Sequence, residues 1–371
     1  MESKIKQIIK YANNLYMKSP KQLLIASLIA ATFTACKKDV DPIIIAPLST
    51  GAQVKLEGIA ASEAGSAAGN SVYLDLSAVT QTPVLRSSWD LGFYTGSDFR
   101  VILNNYASAG AKVLAKNDLT MVSAADTIGL VLATSQTNPL PEQLPWFDDV
   151  AGDLTKTVIP AVSANDADNR VIILNRGTGG GIAARPWIKL RVLRNVGGGY
   201  TLQYAGIQET TFKLLQIPKD ASYNFKFVSF ENGIADAQPE KARWDLVWTY
   251  SVFETNFGVG QVPYNFSDLI AINYLAGVTV ATKTYASNAI AAAAYTAFNK
   301  DSVTNATLVS GRWAIGSGWR STQPATGARL DRFYIIKDPA GNFYKFKCLA
   351  MGVGTDGGTR GKPDFQYELI K

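Results

Sequence analysis

The sequence of 371 residues contains no histidine. Without histidine there can be no Ser-His-Asp or Cys-His catalytic arrangement, and the commonest zinc ligand is missing. A pair of carboxylates could still serve a hydrolase, and Asp148, Asp149 and Asp153 crowd one predicted loop. Solvated loop acids explain that cluster more simply. We therefore predict that the protein is not an enzyme.

Cysteine is scarce as well, with two residues in the whole chain. The first, Cys36, directly follows an apolar run from Leu23 to Ala35, and lysines precede that run. This is the pattern of a secretory signal. The run is shorter than the ~20 apolar residues of a transmembrane helix, which favours a cleaved signal over a permanent membrane span.

The residues before Cys36 resemble the lipobox of bacterial lipoproteins, in which the cysteine becomes the acylated first residue of the mature chain. Phe33 stands where that motif usually carries leucine. The resemblance implies a signal peptide at 1–35, lipidation of Cys36 with palmitate or a similar chain, and a lipidated tether at 36–55. Met17 begins a more normal signal and is favoured as the true start.

The chain has few charges, and their balance is close to neutral after export. Its formal charge is +6, from 36 basic and 30 acidic residues. Removing residues 1–35 takes away five lysines and one glutamate, which leaves 31 basic and 29 acidic residues, or +2. Nothing in that balance indicates a nucleic-acid partner. The second cysteine, Cys348, has no partner once Cys36 is acylated, so stability must come from a large hydrophobic core.

Beyond the tether, short runs rich in β-branched and aromatic residues alternate with Gly, Asn and Asp. This pattern predicts an all-β fold, mostly antiparallel, with one or a few short helices. The clearest helix is predicted at Ser287–Lys300, with Ile290, Ala294 and Phe298 on its packing face. Glycines 177 and 179–181 lack the lysine of a phosphate loop and indicate a turn.

Similar segments recur with a period of roughly 150 residues. One strand precedes Trp89-Asp90-Leu91, and a similar strand precedes Trp244-Asp245-Leu246. We predict two tandem, diverged β modules at 56–222 and 223–371, with an insertion from Ser135 to Asn169 in the first. The tryptophans are predicted to anchor the core, and Asp90 and Asp245 to accept hydrogen bonds from nearby backbone.

At these residues the chain resembles the HmuY family, haem-binding surface lipoproteins of Bacteroidetes. The resemblance runs through Phe227–Gly233, Trp244-Asp245-Leu246, Asn256 and the closing stretch 331–369, and more loosely through Asn104 after Trp89. It implies an antiparallel β fold, attachment to the outer membrane facing the exterior, and a haem held between loops at one end. A TonB-dependent outer-membrane receptor is the implied partner.

The chain departs from the family in its iron ligands, because the best-known members use two histidines. One of those positions, five residues after the motif tryptophan, is Thr249 here, and Tyr94 is its counterpart after Trp89. Haem iron also accepts thiolate, thioether or phenolate. The ligand-binding candidates are therefore Met351, Met121, Tyr94 and Tyr250, with Met351 and Tyr94 as candidate metal ligands.

The loop position of Met351, before Gly352-Val353-Gly354, predicts a thioether presented to solvent. Met121 lies in a segment that looks like a strand, where methionine commonly fills gaps. Cys348 alternates with aromatic residues on one strand face, which predicts a buried small hydrophobe.

The leading hypothesis is a cell-surface lipoprotein that binds haem or a related porphyrin for uptake without histidine ligation. The alternative is a surface lipoprotein that binds a non-haem ligand, such as a glycan, a peptide or a partner protein. A carboxylate-based hydrolase is the third hypothesis.

Overall fold

The structure is a computed structural model that describes residues 49–370. The predicted signal peptide at 1–35, Cys36 and most of the predicted tether lie outside the described residues. The end of that tether is not a linker, because Gly51–Lys55 form a strand that pairs with the strand Asp364–Leu369. No helix in the described part of the chain is long and apolar enough to cross a membrane.

Residues 49–370 are mostly antiparallel β-strand, which confirms the predicted fold class. The strands are β1 Gly51–Lys55, β2 Asn70–Asp75, β3 Thr80–Leu85, β4 Leu91–Tyr94, β5 Val101–Leu103, β6 Gly110–Val113, β7 Ile172–Asn175, β8 Ile188–Arg194, β9 Tyr200–Gly206, β10 Lys213–Ile217, β11 Phe225–Ser229, β12 Gly233–Ala235, β13 Leu246–Asn256, β14 Gln261–Ile272, β15 Thr279–Thr284, β16 Arg320–Ser321, β17 Gly327–Ala328, β18 Arg332–Lys337, β19 Phe343–Ala350 and β20 Asp364–Leu369.

Helices are few and short. The α-helices are α1, Asn288–Ala297, and α2, Lys300–Val303. Short 3-10 helices of one or two turns occupy Gly65–Ala67, Leu119–Met121, Ala124–Thr127, Pro141–Trp146, Leu154–Lys156, Asp166–Asp168, Gly179–Gly181 and Tyr274–Ala276.

The strands form two β-sandwiches. In sandwich one, the sheet β12-β11-β4-β5 packs on the sheet β10-β9-β8-β7-β6, and its core includes Leu91, Leu103, Leu190 and Leu202. In sandwich two, the sheet β14-β13-β2-β3 packs on the sheet β1-β20-β19-β18-β15 around a second apolar core. Alternate residues of strands such as β4, β8 and β9 point into these cores, which explains their alternating sequence pattern.

The two sandwiches do not correspond to the two predicted modules. Strand β11 follows residue 223 but pairs with β4, and β2 precedes residue 222 but pairs with β13. Sandwich one is therefore the continuous stretch β4–β12, whereas sandwich two joins β1–β3 to strands from β13 onward. The division at residue 222 is not confirmed, because strands from both halves share the same sheets.

Helix α1 covers the outer face of sandwich two. Ser287 caps its start by accepting a hydrogen bond from the backbone N–H of Ile290 at 3.3 Å. Its buried residues are Ala291 and Tyr295, whereas Ile290 is 52% exposed. The predicted helix is confirmed. Ala294 and Phe298 pack on the buried cluster around Phe333 as predicted, whereas the predicted packing of Ile290 is wrong. Phe333 on β18 contacts Tyr295 edge-on at 5.4 Å.

Candidate functional site

The Trp-Asp-Leu motif stands at the start of β4 and again at the start of β13. Trp89 packs edge-on against Phe227, with ring centroids 4.7 Å apart, and Trp244 packs edge-on against Tyr73 at 5.1 Å. Both tryptophans are buried. The prediction that they anchor the core is confirmed, and each one contacts a strand from the other half of the sequence.

Each motif aspartate accepts a hydrogen bond at the end of the strand that comes from the other half of the sequence, here called the exchanged strand. Asp90 Oδ2 accepts a hydrogen bond from the backbone N–H of Phe230 at 3.0 Å, and Asp245 Oδ2 accepts one from the N–H of Leu76 at 2.8 Å. The expected backbone hydrogen bonds are confirmed. Their donors are distant in sequence, because Phe230 and Leu76 end equivalent strands that lie in the opposite half.

An asparagine side chain also binds the backbone beside each motif. The Trp-Asp-Leu motif, the end of the exchanged strand and this asparagine are together called a junction. The Asn104 side-chain amide donates to the carbonyl oxygen of Trp89 at 2.7 Å, and the Asn273 amide donates to that of Trp244 at 3.0 Å. Each amide also donates to the carbonyl oxygen three residues before its tryptophan. Asn273 is thus the counterpart of Asn104. Asn256, one of the residues on which the family resemblance was based, is exposed at the end of β13 and takes no part in this arrangement.

The two junctions differ in charge. Two guanidinium nitrogens of Arg176 each lie 2.8 Å from an Asp90 carboxylate oxygen, and Glu231 contacts the same guanidinium. Among residues 49–370, no cation lies within 4.0 Å of the Asp245 carboxylate. Burial therefore raises the pKa of Asp245 to about 7, although the hydrogen bond from Leu76 acts against this shift.

A polar cleft of about 410 Å³ lies beside Tyr250, one of the predicted ligand-binding residues. Tyr250 is half-buried on β13, next to a break in the β13–β14 register. The turn Gly179–Gly181 forms another wall, and the left-handed φ values of Gly180 and Gly181 require glycine there. The remaining lining residues are small or polar: Ser66, Ala67, Ser108, Ala133, Thr134, Gln136, Thr178 and Asn265.

A buried cation, Arg86, contacts two walls of this cleft, the Tyr250 ring and the Gly179–Gly181 turn. Its guanidinium carbon lies 4.8 Å from the centre of the Tyr250 ring. Burial raises the pKa of the Tyr250 hydroxyl, while the charge of Arg86 acts in the opposite direction. The Arg86 guanidinium donates hydrogen bonds of 2.7 to 3.2 Å to five backbone carbonyl oxygens, those of Ala67, Ala68, Tyr106, Gly179 and Gly180.

Sequence reasoning missed Arg86. It lies three residues before Trp89, and Lys241 holds the same place before Trp244. The repeat could therefore have indicated that this position carries a basic residue. It could not have predicted the burial of Arg86, because the five acceptors come from three separate segments of the chain.

The family histidine position does not face the cleft. Thr249 is completely buried, and its hydroxyl lies 2.7 Å from that of Ser71 on the neighbouring strand β2. The Thr249 hydroxyl also donates to the carbonyl oxygen of Tyr250 at 2.9 Å. Both of its hydrogen-bonding contacts therefore lie within the sheet, and the side chain is part of the core.

Tyr94 lies away from Tyr250, in sandwich one. It ends β4, and its ring packs against Phe225 with centroids 5.6 Å apart. Its carbonyl oxygen accepts a hydrogen bond from the Tyr200 hydroxyl at 2.7 Å. A Cβ on Gly96 would lie 2.5 Å from the Tyr94 hydroxyl, so this ring is closely covered on one side. The structure does not bring the two candidate tyrosines together.

Neither candidate methionine lines the cleft beside Tyr250. Met351 is completely buried in the core of sandwich two, so the predicted presentation of its thioether to solvent is wrong. The loop that follows instead folds around Asp356, whose carboxylate accepts the Met351 backbone N–H at 2.8 Å. Met121 is 60% exposed and ends a 3-10 turn, so the predicted strand there is wrong too.

Cys348 is buried in the core of sandwich two, as predicted. Burial raises the pKa of its thiol well above the ordinary value, which keeps the thiol protonated. This thiol is therefore unreactive and packs as a small hydrophobe.

One acid of the predicted insertion is not solvated. Asp148 is buried, and its carboxylate accepts hydrogen bonds from the backbone N–H groups of Leu103 at 2.6 Å and Val158 at 2.8 Å. Burial raises its pKa to about 6 despite these bonds. The expectation of a solvated acid is wrong here, because this carboxylate ties the loop to β5.

A family model described as HmuY protein matches residues 67–367. No curated protein and no solved structure matches the chain. The matched range runs across both sandwiches, from the strands before the first Trp-Asp-Leu motif to β20. The chain therefore belongs to the HmuY family.

Proposed function

We propose that this protein is a surface lipoprotein that binds haem or a related porphyrin for uptake, without histidine ligation. The observation that carries the proposal is the family match over residues 67–367. Haem binding in this family is compatible with several iron ligands, since haem iron accepts phenolate as well as imidazole. A histidine-free chain therefore remains able to hold the iron.

The cleft beside Tyr250 is the proposed binding place. Its volume of about 410 Å³ falls within the ~300–1,000 Å³ usual for small-molecule sites. Tyr250 would supply the phenolic oxygen, and the Arg86 charge, 4.8 Å from the ring, stabilises the deprotonated form. The glycines 179–181 leave that wall free of side chains. Bound haem would supply the iron, which the Tyr250 oxygen would hold.

A haemin titration of the purified protein tests this proposal. We expect a saturable Soret shift with oxidised haemin, and an affinity at least about tenfold lower in Tyr250→Phe, which removes only the ligating oxygen. Tyr285→Phe is the control, because Tyr285 stacks on Phe333 elsewhere in sandwich two. No shift with oxidised or reduced haemin would refute haem binding. Unchanged affinity in Tyr250→Phe would remove Tyr250 from the site.

A non-haem ligand is the second candidate function, favoured by the polar lining of the same cleft. Hydroxyl and amide side chains surround it, including Ser108, Thr134, Gln136 and Asn265. Such groups can donate hydrogen bonds to, and accept them from, a hydroxylated ligand such as a glycan. A glycan array on the same protein separates the two candidates. Selective glycan binding without a Soret shift would favour this second function.

Lipid anchoring at Cys36, exposure on the outer membrane and transfer to a TonB-dependent receptor complete the proposal. They rest on the sequence pattern of residues 17–36 and on the family. Labelling of growing cells with a palmitate analogue checks the anchor, which Cys36→Ala should abolish. Protease treatment of intact cells checks the exterior location.

A further inference from the structure

A groove of about 390 Å³ lies on the outer face of sandwich two, between helix α1 and strands β18 and β19. This volume falls within the ~300–1,000 Å³ usual for small-molecule sites. The groove shares no lining residue with the Tyr250 cleft, so it is a separate site. Its apolar lining side chains are Ala289, Ala291, Ala292, Leu330, Phe333 and Leu349.

Helix α1 presents an uncharged surface beside this groove. The chain carries no charged residue between residues 285 and 299, although a surface helix normally has charged or polar residues on its solvent side. Ala289 and Ala292 are exposed in the lining, and Leu330, which precedes β18, is 43% exposed. Contiguous apolar surface of this kind marks a place where a ligand or partner binds.

One cation of the lining has no acidic partner. Among the residues that the structure describes, no carboxylate lies within 4.0 Å of the Lys347 ammonium nitrogen. That nitrogen lies 4.4 Å from the centre of the Tyr295 ring, which also lines the groove. The ring attracts the ammonium group. The charge of Lys347 is therefore held at the groove.

The neighbouring charges are already paired. The Lys345 ammonium nitrogen lies 3.0 Å from a carboxylate oxygen of Glu368. The Arg332 guanidinium, which also lines the groove, lies 2.8 Å from a carboxylate oxygen of Asp331. These pairs cancel one another, so the groove keeps one positive charge in excess, that of Lys347.

We propose that this groove binds a free fatty acid, with its carboxylate at Lys347 and its alkyl chain along α1. The carboxylate supplies the anion that Lys347 lacks, in a charge-assisted hydrogen bond. The alkyl chain removes the exposed apolar lining from water.

The volume of the groove sets the length of the fatty acid. A cavity of ~150 Å³ holds benzene, so 390 Å³ holds about 15 non-hydrogen atoms by the same measure. That is the size of dodecanoate. The two acyl chains of a phospholipid would not fit, and this favours a free fatty acid over a membrane lipid.

Calorimetric titration of the purified protein with sodium dodecanoate, below the concentration at which it forms micelles, tests the proposal. We expect one saturable site. Octanoate should bind at least about tenfold more weakly, because it buries four fewer methylene groups. Dodecyltrimethylammonium has the same chain and the opposite charge, and we expect no saturable binding of it.

A charge variant tests the role of Lys347. Lys347→Met removes the charge but keeps a side chain of similar length, and it should weaken dodecanoate binding about tenfold. Lys55→Met makes the same change at an exposed position of β1. Arg329→Met removes an exposed cation next to Leu330 that is outside the groove lining. Both control variants should bind dodecanoate as the parent protein does.

A second variant fills the groove and does not depend on the charge. Ala292→Phe places a ring in the groove and should abolish dodecanoate binding. Ala293→Phe makes the same change at the next position of α1, which is exposed and outside the groove lining, and it should leave binding unchanged. Both positions face solvent, so we expect both variants to fold. Circular dichroism checks the fold of each variant.

Absence of saturable dodecanoate binding by the parent protein would overturn the proposal. Equal weakening in the Lys347 and Lys55 variants, or in the Ala292 and Ala293 variants, would also overturn it. Sedimentation of the protein with phosphatidylglycerol vesicles, without any binding of dodecanoate, would assign the uncharged surface of α1 to a membrane instead and would likewise overturn the proposal.

Discussion

The two Trp-Asp-Leu junctions allow one substitution to be tested at two equivalent positions with opposite expected results. Asp90 and Asp245 each accept the backbone N–H at the end of an exchanged strand. Asp90 is also paired with the buried Arg176, whereas Asp245 has no such cation. Aspartate-to-asparagine substitution keeps the size and one acceptor oxygen, so the change isolates the charge at both places.

We expect Asp90→Asn to lower the free energy of unfolding by about 3–5 kcal/mol, because it leaves the Arg176 charge buried without its main partner. The exposed Glu231 still contacts that guanidinium, which favours the lower end. The side-chain N–H₂ group of the asparagine would also face the N–H donors of Arg176 or Phe230. The loss should persist from pH 5 to pH 8, because the Arg176 guanidinium stays charged throughout this range.

Asp245→Asn should behave differently. Burial raises the folded-state pKa of Asp245 to about 7, against ~3.9 for an unfolded aspartate. The contribution of Asp245 to stability is therefore fully present below about pH 4 and is lost as pH rises through 7, by at most about 4 kcal/mol for a shift of three pKa units. Asparagine removes this loss, so the variant should match the parent at pH 4 and exceed its stability at pH 8.

Urea unfolding followed by tryptophan fluorescence, at pH 4, 5 and 8, measures both effects. The Asp90 variant should unfold at much lower urea at pH 5 and pH 8. The reasoning is refuted if Asp245→Asn is destabilised at pH 8 as strongly as Asp90→Asn. It is equally refuted if Asp90→Asn costs less than about 1 kcal/mol, since the buried pair would then contribute little.

Three further measurements test other parts of the structure. Arg86→Met should lower the free energy of unfolding by about 3 kcal/mol or more in urea, because it strips five buried carbonyl oxygens of their donor; Arg329→Met should change it by less than about 0.5 kcal/mol. Cys348 should not react with a thiol reagent in the native protein but should react fully in denaturant, given its burial and raised pKa. Carbon NMR of labelled aspartate should show Asp148 titrating near pH 6, and a midpoint near 4 would contradict its burial.

The sequence predicted the strand content, the Trp-Asp-Leu anchors and the burial of Cys348. These features depend on local patterns, such as the alternation of apolar residues and the size of tryptophan. The repeat also identified equivalent segments correctly, since Asp90 and Asp245 make the same hydrogen bond.

The sequence did not predict which strands would pair. A repeat shows that two segments are equivalent, but it does not show whether β2 pairs with β4 or, as the structure has it, with β13. Only the tertiary structure decides between these arrangements. For the same reason Arg176 and Asn273 were not predicted as partners of the motif residues. The prediction that Met351 faces solvent was wrong because its burial depends on a loop folded around Asp356.

The exchange of strands has a consequence for the order in which the molecule can assemble. Sandwich one is a continuous stretch and has every strand it needs once residue 235 has been made. Strand β1 pairs only with β20, and the β2–β3 hairpin joins its sheet through β13; both partner strands come much later in the chain. The segment next to the proposed lipid anchor is thus the earliest to emerge and among the last to be paired, so a truncated chain leaves its own beginning unfolded.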